Sequence, residues 1–232
     1  MTYVIGDIHG HYEKYIKMLA EIDFSDDDVL YVVGDIIDRG DEGLRILDDM
    51  SMRVNVIPII GNHEIVAITV MRQLQELTEE NIKTHIDDAL SLDVQIWQQL
   101  GGGSTLLEFA SLQPDEREYV LEYLMEFSLY RAISVAGKNY ILVHSGLPDG
   151  AKPGNLDKYD AYDFETARTD YKREYFKDIF LITGHFPTSE IDDAYKGKIY
   201  RKHNHIAIDT GAGWGDPLAC ICLDTDEEFY VQ

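Results

Sequence analysis

The chain has 232 residues, enough for one domain with a substantial hydrophobic core. Hydrophobic residues make up 45% of it and charged residues 27%, values that are ordinary for a globular protein. The charge is unbalanced, since 43 acidic and 20 basic residues give a formal net charge of −23. A surface this negative should repel nucleic acid and anionic membranes, so we expect neither as a partner.

The cysteine pattern and the absence of a targeting segment indicate the cellular compartment in which the protein is expected. Cys220 and Cys222 alternate within one strand-like run, which predicts two buried thiols on one face rather than a disulfide framework. The sequence shows no basic and apolar leader segment and no long apolar stretch. We therefore expect a cytoplasmic protein.

The first sixty residues alternate apolar, strand-like runs with helical stretches. Strands are predicted at 2–6, 29–33 and 54–60, and helices at about 10–22, near 41–50 and from about 63. This βαβαβ order predicts a parallel sheet with right-handed crossovers.

The predicted secondary structure of the rest of the chain falls into two parts. From about 64 to 128 the pattern is mostly helical and predicts a helical insert that covers one side of the site. Later elements are predicted as hairpins at 131–146 and 216–232, a helix near 163–176 and a strand ending at His185. His203 and His205 lie in a mostly polar turn and are expected to be solvated. Since no repeat or low-complexity linker is found, residues 1–232 are expected to form a single domain.

Polar, chemically capable residues follow the predicted strands, each just after the point where a strand ends. They are Asp7, His9, Asp35, Asp38, Arg39, Asn62, His63, His144 and His185. In an open α/β sheet the carboxyl ends of strands meet in one crevice, so these residues should converge. Gly6, Gly34 and Gly61 precede the first three groups and permit sharp exits from the strands.

A cluster of carboxylates, imidazoles and an amide oxygen needs a countercharge, and these donors suit divalent Mn, Fe, Zn or Co. The candidates outnumber the ligands of one open site, which suggests two metals that share a bridging carboxylate. Such pairs lie about 3.5–4 Å apart in enzymes that displace phosphoryl groups. Taken singly, an Asp after a strand is more often a helix N-cap and a His more often structural. Their joint occurrence at strand ends favours a metal centre.

Five short blocks carry a resemblance to a known family: GDIHG (6–10), GDIIDRG (34–40), GNHE (61–64), HSG (144–146) and GHFPT (184–188). Together they resemble the signature of the phosphoprotein phosphatase family of calcineurin-like metallophosphoesterases, above all its bacterial and phage-type serine/threonine protein phosphatases. WQQLGGGST (97–105) and IDTGAGWG (208–215) also resemble segments of that branch. The resemblance implies an α/β sandwich of central mixed sheets, built on a βαβαβ core with flanking helices.

The resemblance also implies a role for each residue of the site. Asp7 and His9 would hold one metal, Asp35 would bridge both, and the second would be held by Asn62, His144 and His185. His63 would be the general acid, with Asp38 hydrogen-bonded to it.

Two arginines complete the implied site. Arg39 would grip the phosphate with its planar fork. Arg168, in FETARTDY, is the counterpart of a second phosphate-binding arginine, although Thr166 stands where the family has Trp.

The activity implied is that of a phosphomonoesterase, a serine/threonine protein phosphatase, in which a metal-bridging water attacks phosphorus in line. By the same resemblance the two divalent ions are expected to be manganese, while iron or zinc also suits the ligands. Phosphorylated proteins or small phosphoesters are the expected substrates. The alternative is a symmetrical diadenosine tetraphosphatase, a branch that more often has Asp at the position of Glu64. A metal-binding scaffold without catalysis is disfavoured, because every ligand and the acid are present.

Overall fold

The computed structural model describes residues 1–75 and 88–232, and those residues form ten strands and eight helices. The strands are β1 (Thr2–Ile5), β2 (Val29–Val32), β3 (Val56–Pro58), β4 (Tyr130–Val135), β5 (Lys138–Val143), β6 (Ile179–Thr183), β7 (Tyr200–Lys202), β8 (His205–Ala207), β9 (Leu218–Cys222) and β10 (Glu228–Val231). The helices are α1 (Tyr12–Glu21), α2 (Gly43–Ser51), α3 (Asn62–Gln75), α4 (Asp88–Leu100), α5 (Gly103–Ser111), α6 (Pro114–Met125), α7 (Ala161–Thr166) and α8 (Thr188–Ile191). None of these helices is long and apolar enough to cross a bilayer.

The strands form two mixed sheets of five. The first has the order β10-β9-β1-β2-β3, in which β1, β2 and β3 are parallel and β9 and β10 are antiparallel additions. The second has the order β4-β5-β6-β8-β7, with β5, β6 and β8 parallel. The predicted α/β class and the βαβαβ core are therefore confirmed.

The two sheets pack against each other through an apolar layer from both inner faces. Val4 and Ile221 of the first sheet belong to the same cluster as Leu142, Ile182 and Ile206 of the second, and all are buried. Alternation along each strand places these side chains on the inner face, while their neighbours in sequence face outward. The layer fixes the distance between the two sheets.

The outer faces are covered differently. On the first sheet, helices α1 to α6 contribute to a larger core in which Tyr15, Met18, Trp97 and Phe109 are fully buried. On the second sheet a smaller cluster is covered by the segment around Leu156 and Phe164 rather than by long helices.

Helices α3 to α6 occupy the predicted helical insert, and the part of it at 76–87 lies outside the described residues. The helix predicted near 163–176 is wrong beyond Thr166, where α7 ends. Side chains there bond to the backbone in other ways: Thr169 Oγ1 donates to the carbonyl of Ser145, 24 residues away, and the Lys172 amide donates to Asp170 Oδ1. Such bonds compete with helical ones.

The expectation that His205 is solvated is also wrong, whereas His203 is exposed as predicted. His205 lies on β8 with 1% exposure, and its Nε2 is 3.0 Å from Thr183 Oγ1. Its ring packs at 4.8 Å from that of Tyr171. The polar turn ends one residue earlier than its composition suggested, so His205 already belongs to a buried strand.

Because the layer between the sheets is tightly buried, we expect that shortening one of its side chains lowers the free energy of unfolding substantially. Replacing the fully buried Ile182 by Ala should lower the free energy of unfolding by about 2–5 kcal/mol, because it removes buried methylene groups and leaves a cavity. Urea denaturation measures the change. Val54→Ala, at a fully exposed position, is the control and should shift the free energy by less than about 0.5 kcal/mol. Equal effects of the two substitutions would contradict this account of the core.

Candidate functional site

The carboxyl ends of six parallel strands, three from each sheet, meet at one edge of the sandwich. The segments that follow these strands contact one another. The His185 amide donates to Asp7 Oδ2 at 3.0 Å, and His144 Nδ1 lies 2.7 Å from the Val33 carbonyl oxygen. The structure therefore brings these distant segments together, as the sequence predicted.

Asp35 is at the centre of the cluster. Its carboxylate oxygens lie 3.6 Å from His9 Nε2, 3.8 Å from His63 Nε2 and 3.2 Å from His144 Nε2. Two sets of possible ligand atoms share it, one with His9 and His63 and the other with His144 and His185. A carboxylate in that position can serve two cations at once.

Asn62 completes the second set. Its Oδ1 lies 3.0 Å from His144 Nε2 and 2.8 Å from His185 Nδ1, while those two nitrogens are 3.2 Å apart. An oxygen and two imidazole nitrogens at such separations can bind one divalent cation together. Helix α3 begins at Asn62, so the rigid start of a helix presents the amide.

The imidazole orientations fit metal binding. His9 Nδ1 faces the Ile37 carbonyl at 3.2 Å, and His144 Nδ1 faces the Val33 carbonyl at 2.7 Å. A carbonyl oxygen can only accept, so each Nδ1 carries a proton and each Nε2 is the nitrogen that faces Asp35. Metal-bound histidines commonly hold their other nitrogen in this way. The residues present therefore fit a divalent metal centre.

The acidic side of the site is crowded. Asp7 and Asp35 are almost completely buried, and burial together with the nearby Asp209 raises the pKa of Asp7 well above its usual value. Burial would also raise the pKa of Asp35, but His144 and His63 hold it well below the usual value. Burial would lower the pKa of His144, yet Asp35 raises it to about 10. A cation in the cluster would take the place of that proton.

The remaining two candidate histidine ligands are neutral. Burial lowers the pKa of His9 to about 3, and burial together with His144 lowers that of His185 to about 4. Neutral imidazole is the form that binds a metal ion.

His63 and Asp38 form a buried pair beside the cluster. His63 Nδ1 lies 2.7 Å from Asp38 Oδ2, which leaves Nε2 facing the pocket. The same carboxylate oxygen accepts a hydrogen bond from Trp97 Nε1 at 2.9 Å, and the Asp38 amide donates to Thr105 Oγ1. Burial would lower the pKa of His63, but Asp35 and Asp38 raise it overall. The WQQLGGGST segment thus positions this pair.

The two arginines differ. Arg39 lies in the pocket, with Nη1 2.6 Å from His9 Nε2 and Nη2 3.3 Å from His63 Nε2. Arg168 is exposed, and its guanidinium donates to the carbonyl groups of Glu165 and Ala167. Its charge adds a small contribution to the lowered pKa of His185, and neither of these hydrogen bonds is to a candidate ligand.

Sequence reasoning assigned no structural role to Glu64. Its buried carboxylate accepts hydrogen bonds from four backbone amides, those of Asp35, Ile36, Ile37 and Gly61, at 2.8–3.2 Å. Gly61 permits the close approach, since a Cβ there would lie 2.2 Å from Asp35 Oδ1. Glu64 therefore joins the two loops that carry Asp35 and Asn62.

Asp209 was missed as well. It follows β8 in the same pattern of an apolar run and then an acid that marked the other segments, so the signal was present in HIAIDTG. It is 2% exposed, and burial raises its pKa to about 6. It adds a further carboxylate next to Asp7.

The backbone is strained at the site. Five candidate residues that are not glycine have left-handed φ values of 48–71°: His9, Asp35, Asp38, Arg39 and His185. Such conformations cost free energy and persist only where surrounding structure imposes them. Their concentration here marks the functional region.

A buried cluster of carboxylates and imidazoles at the carboxyl edge of a two-sheet α/β sandwich is the arrangement of a metal-dependent phosphoesterase. Residues 2–211 match the family model described as calcineurin-like phosphoesterase. The chain belongs to that family, and it is a hydrolase of phosphoesters, as the sequence predicted.

Named relatives fall into two groups. Symmetrical bis(5'-nucleosyl)-tetraphosphatases include one from Wigglesworthia glossinidia brevipalpis, 34% identical, where the match covers 40% of this chain and only 35% of that protein. Another, from Neisseria gonorrhoeae, is 28% identical over 99% of this chain and 95% of that protein. The serine/threonine-protein phosphatase 2 of Salmonella typhimurium is 26% identical over 79% of this chain and 87% of that protein.

A solved structure shares the fold. The serine/threonine phosphatase from Saccharomyces cerevisiae superposes with a TM-score of 0.61 over the whole of this chain and 80% of that one, at 12% identity.

The position of Glu64 predicts that Glu64→Gln both destabilises the protein and weakens metal binding. The Gln amide would turn donor hydrogens towards backbone amides, at a cost of about 1–3 kcal/mol. Because the loops of Asp35 and Asn62 lose their common partner, metal affinity should fall about 10- to 100-fold. Urea denaturation and a titration with Mn²⁺ measure the two effects. Glu118→Gln, on the exposed side of α6, is the control, and a Glu64 variant indistinguishable from it would refute the role.

Proposed function

We propose that the chain is a two-metal phosphomonoesterase that acts on phosphoserine and phosphothreonine in proteins. The observation that carries the proposal is the position of Asp35, shared between one set of ligand atoms with His9 and another with His144 and His185. Two divalent cations there would activate a water molecule and neutralise the charge of the phosphate. Manganese remains the expected metal.

The proposed ligands divide between the sheets. Asp7 and His9 would hold one cation, Asp35 both, and Asn62, His144 and His185 the other. The fixed Nδ1 protons of His9 and His144 support this assignment, since they make Nε2 of each ring the nitrogen that would bind the cation.

His63 is proposed as the general acid. Asp38 holds its Nδ1 proton, so Nε2 can deliver the other proton to the leaving oxygen. Arg39, within 3.3 Å of that nitrogen, would bind phosphate oxygens beside the acid. Arg168 would contact the phosphate from the side of His185.

The second candidate function is hydrolysis of dinucleoside polyphosphates. It is favoured by the symmetrical bis(5'-nucleosyl)-tetraphosphatase from Neisseria gonorrhoeae, whose match covers almost all of both chains. The same two-metal centre suits a phosphoanhydride as well as a monoester. The two candidates differ in the group that lies beyond the phosphate.

The proposed two-metal centre is tested by removing the metal and adding it back. A chelator should abolish hydrolysis, and Mn²⁺ should restore it, because the ligand residues alone supply no activated water. Parallel assays with a phosphoserine peptide and diadenosine tetraphosphate give the preferred substrate from the ratio of kcat/KM. A higher value for the peptide is expected; a higher value for the dinucleotide would support the second candidate. Hydrolysis that persists unchanged after complete metal removal would rule out both.

The general acid is tested by His63→Asn. Turnover of a phosphoserine peptide should fall about 10²- to 10⁴-fold, because the alkoxide leaving group needs a proton. The loss should be much smaller with p-nitrophenyl phosphate, whose leaving group departs without one. Steady-state kinetics and the metal content of the purified protein are measured together.

The matched control for that variant is His203→Asn, an exposed histidine whose left-handed φ of 56° asparagine tolerates. It should retain full activity. Equal losses on both substrates in the His63 variant, with metal content unchanged, would contradict the role of His63 as the acid.

A further inference from the structure

An exposed aromatic side chain stands at the mouth of the site. Trp214 is 68% exposed and lies in the segment that follows β8, two residues after the buried Ala212. Its neighbour Gly213 packs on a candidate metal ligand, since a Cβ at that glycine would lie 2.5 Å from His9 Cδ2. The indole is therefore close to the pocket but remains in water.

The backbone that carries Trp214 is held in place. Lys14 Nζ, on α1, donates to the carbonyl oxygens of Ala212 at 3.2 Å and Asp216 at 2.7 Å. Thr210 Oγ1 donates to the Pro217 carbonyl at 2.6 Å and closes the segment. An indole on such a support can bind a ligand at little cost in backbone entropy.

A single exposed aromatic residue is common on protein surfaces, and its contact with Arg39 is what distinguishes this one. The Arg39 guanidinium carbon lies 4.4 Å from the centre of the Trp214 ring. The same guanidinium is 2.6 Å from His9 Nε2 and 3.3 Å from His63 Nε2. One face of the indole is covered by Arg39, so its large exposure leaves the opposite face open.

We propose that Trp214 is a stacking surface for a flat aromatic group carried by the phosphate of the substrate. A phosphate bound by Arg39 places its substituent next to the indole. A nucleobase or the ring of an aryl ester would stack there, while an alkyl substituent would not. The inference rests on the proposed phosphoesterase activity and bears on its second candidate function, because phosphoserine and phosphothreonine are alkyl esters that would gain nothing from the indole. Stacking of a base on an aromatic side chain changes binding by about 5- to 100-fold.

Kinetics with paired substrates test the selectivity. In Trp214→Leu, kcat/KM should fall about 5- to 100-fold for p-nitrophenyl phosphate and diadenosine tetraphosphate, and less than about threefold for β-glycerophosphate. Trp214→Phe should retain most of the activity on the aromatic substrates. Tyr119→Leu, a half-exposed aromatic residue on α6, is the control and should change nothing. Equal losses on all three substrates would show that the ring only supports Arg39, and no loss at all would equally overturn the stacking surface.

Fluorescence gives a readout that does not depend on turnover. The chain has two tryptophans, and Trp97 is fully buried. In the Mn²⁺-loaded protein, ADP should quench the emission of Trp214, inorganic pyrophosphate should not, and Trp214→Phe should abolish the response. Phenyl phosphate in place of ADP distinguishes an aryl ring from a nucleobase.

The two proposals fail separately. Quenching by ADP in a protein that hydrolyses none of the phosphoesters would remove the proposed function and leave the stacking surface. Normal hydrolysis, with the same fluorescence response to ADP in the wild type and in Trp214→Phe, would remove the stacking surface and leave the proposed function.

Discussion

Burial of negative charge at one edge of the two sheets is the constraint on which the rest of the structure depends. Asp7, Asp35, Asp38, Glu64 and Asp209 are each no more than 2% exposed. Removing a carboxylate from water costs several kcal/mol unless partners compensate for the lost hydration. With a net charge of −23, the chain has few cations to offer, so each acid must find its partner locally.

The protein satisfies some of these acids by itself and leaves others for a cation. Glu64 accepts hydrogen bonds from four backbone amides, and Asp38 is bound by His63 and Trp97. These two acids organise loops and orient the proposed acid. Asp7 and Asp35 each accept a hydrogen bond from one backbone amide, but they also lie beside other acidic groups, whose repulsion a cation would offset. The division separates acids that position the site from acids that can bind metal.

The sequence predicted the parts of this arrangement that depend on local pattern. Apolar runs that end in Gly and then Asp or Asn located three strand ends, and the rule that parallel strands end at one edge brought them together. Only Gly34 among those glycines needs a left-handed φ, and Gly6 and Gly61 are required by close contact with other segments. The roles of Glu64 and Trp97 depend on contacts 27 to 59 residues away in sequence, which no periodicity reveals. The failed helix after Thr166 has the same origin, because tertiary bonds of Thr169 compete there.

The packing of the sheets also explains why strained residues can persist at the site. The first sheet supplies Asp7, Asp35 and Asn62, and the second supplies His144 and His185, so the distance between the sheets sets the distance between the two halves of the cluster. Val33, buried in the layer between the sheets, directly precedes the Gly34–Asp35 turn and offers its carbonyl to His144. Val33 thus connects the apolar core to the polar site. Left-handed backbone at Asp35 and His185 is unfavourable alone, and it persists because the packed sheets and hydrogen bonds hold both loops, with the His185 amide on Asp7 and the Asp35 amide on Glu64.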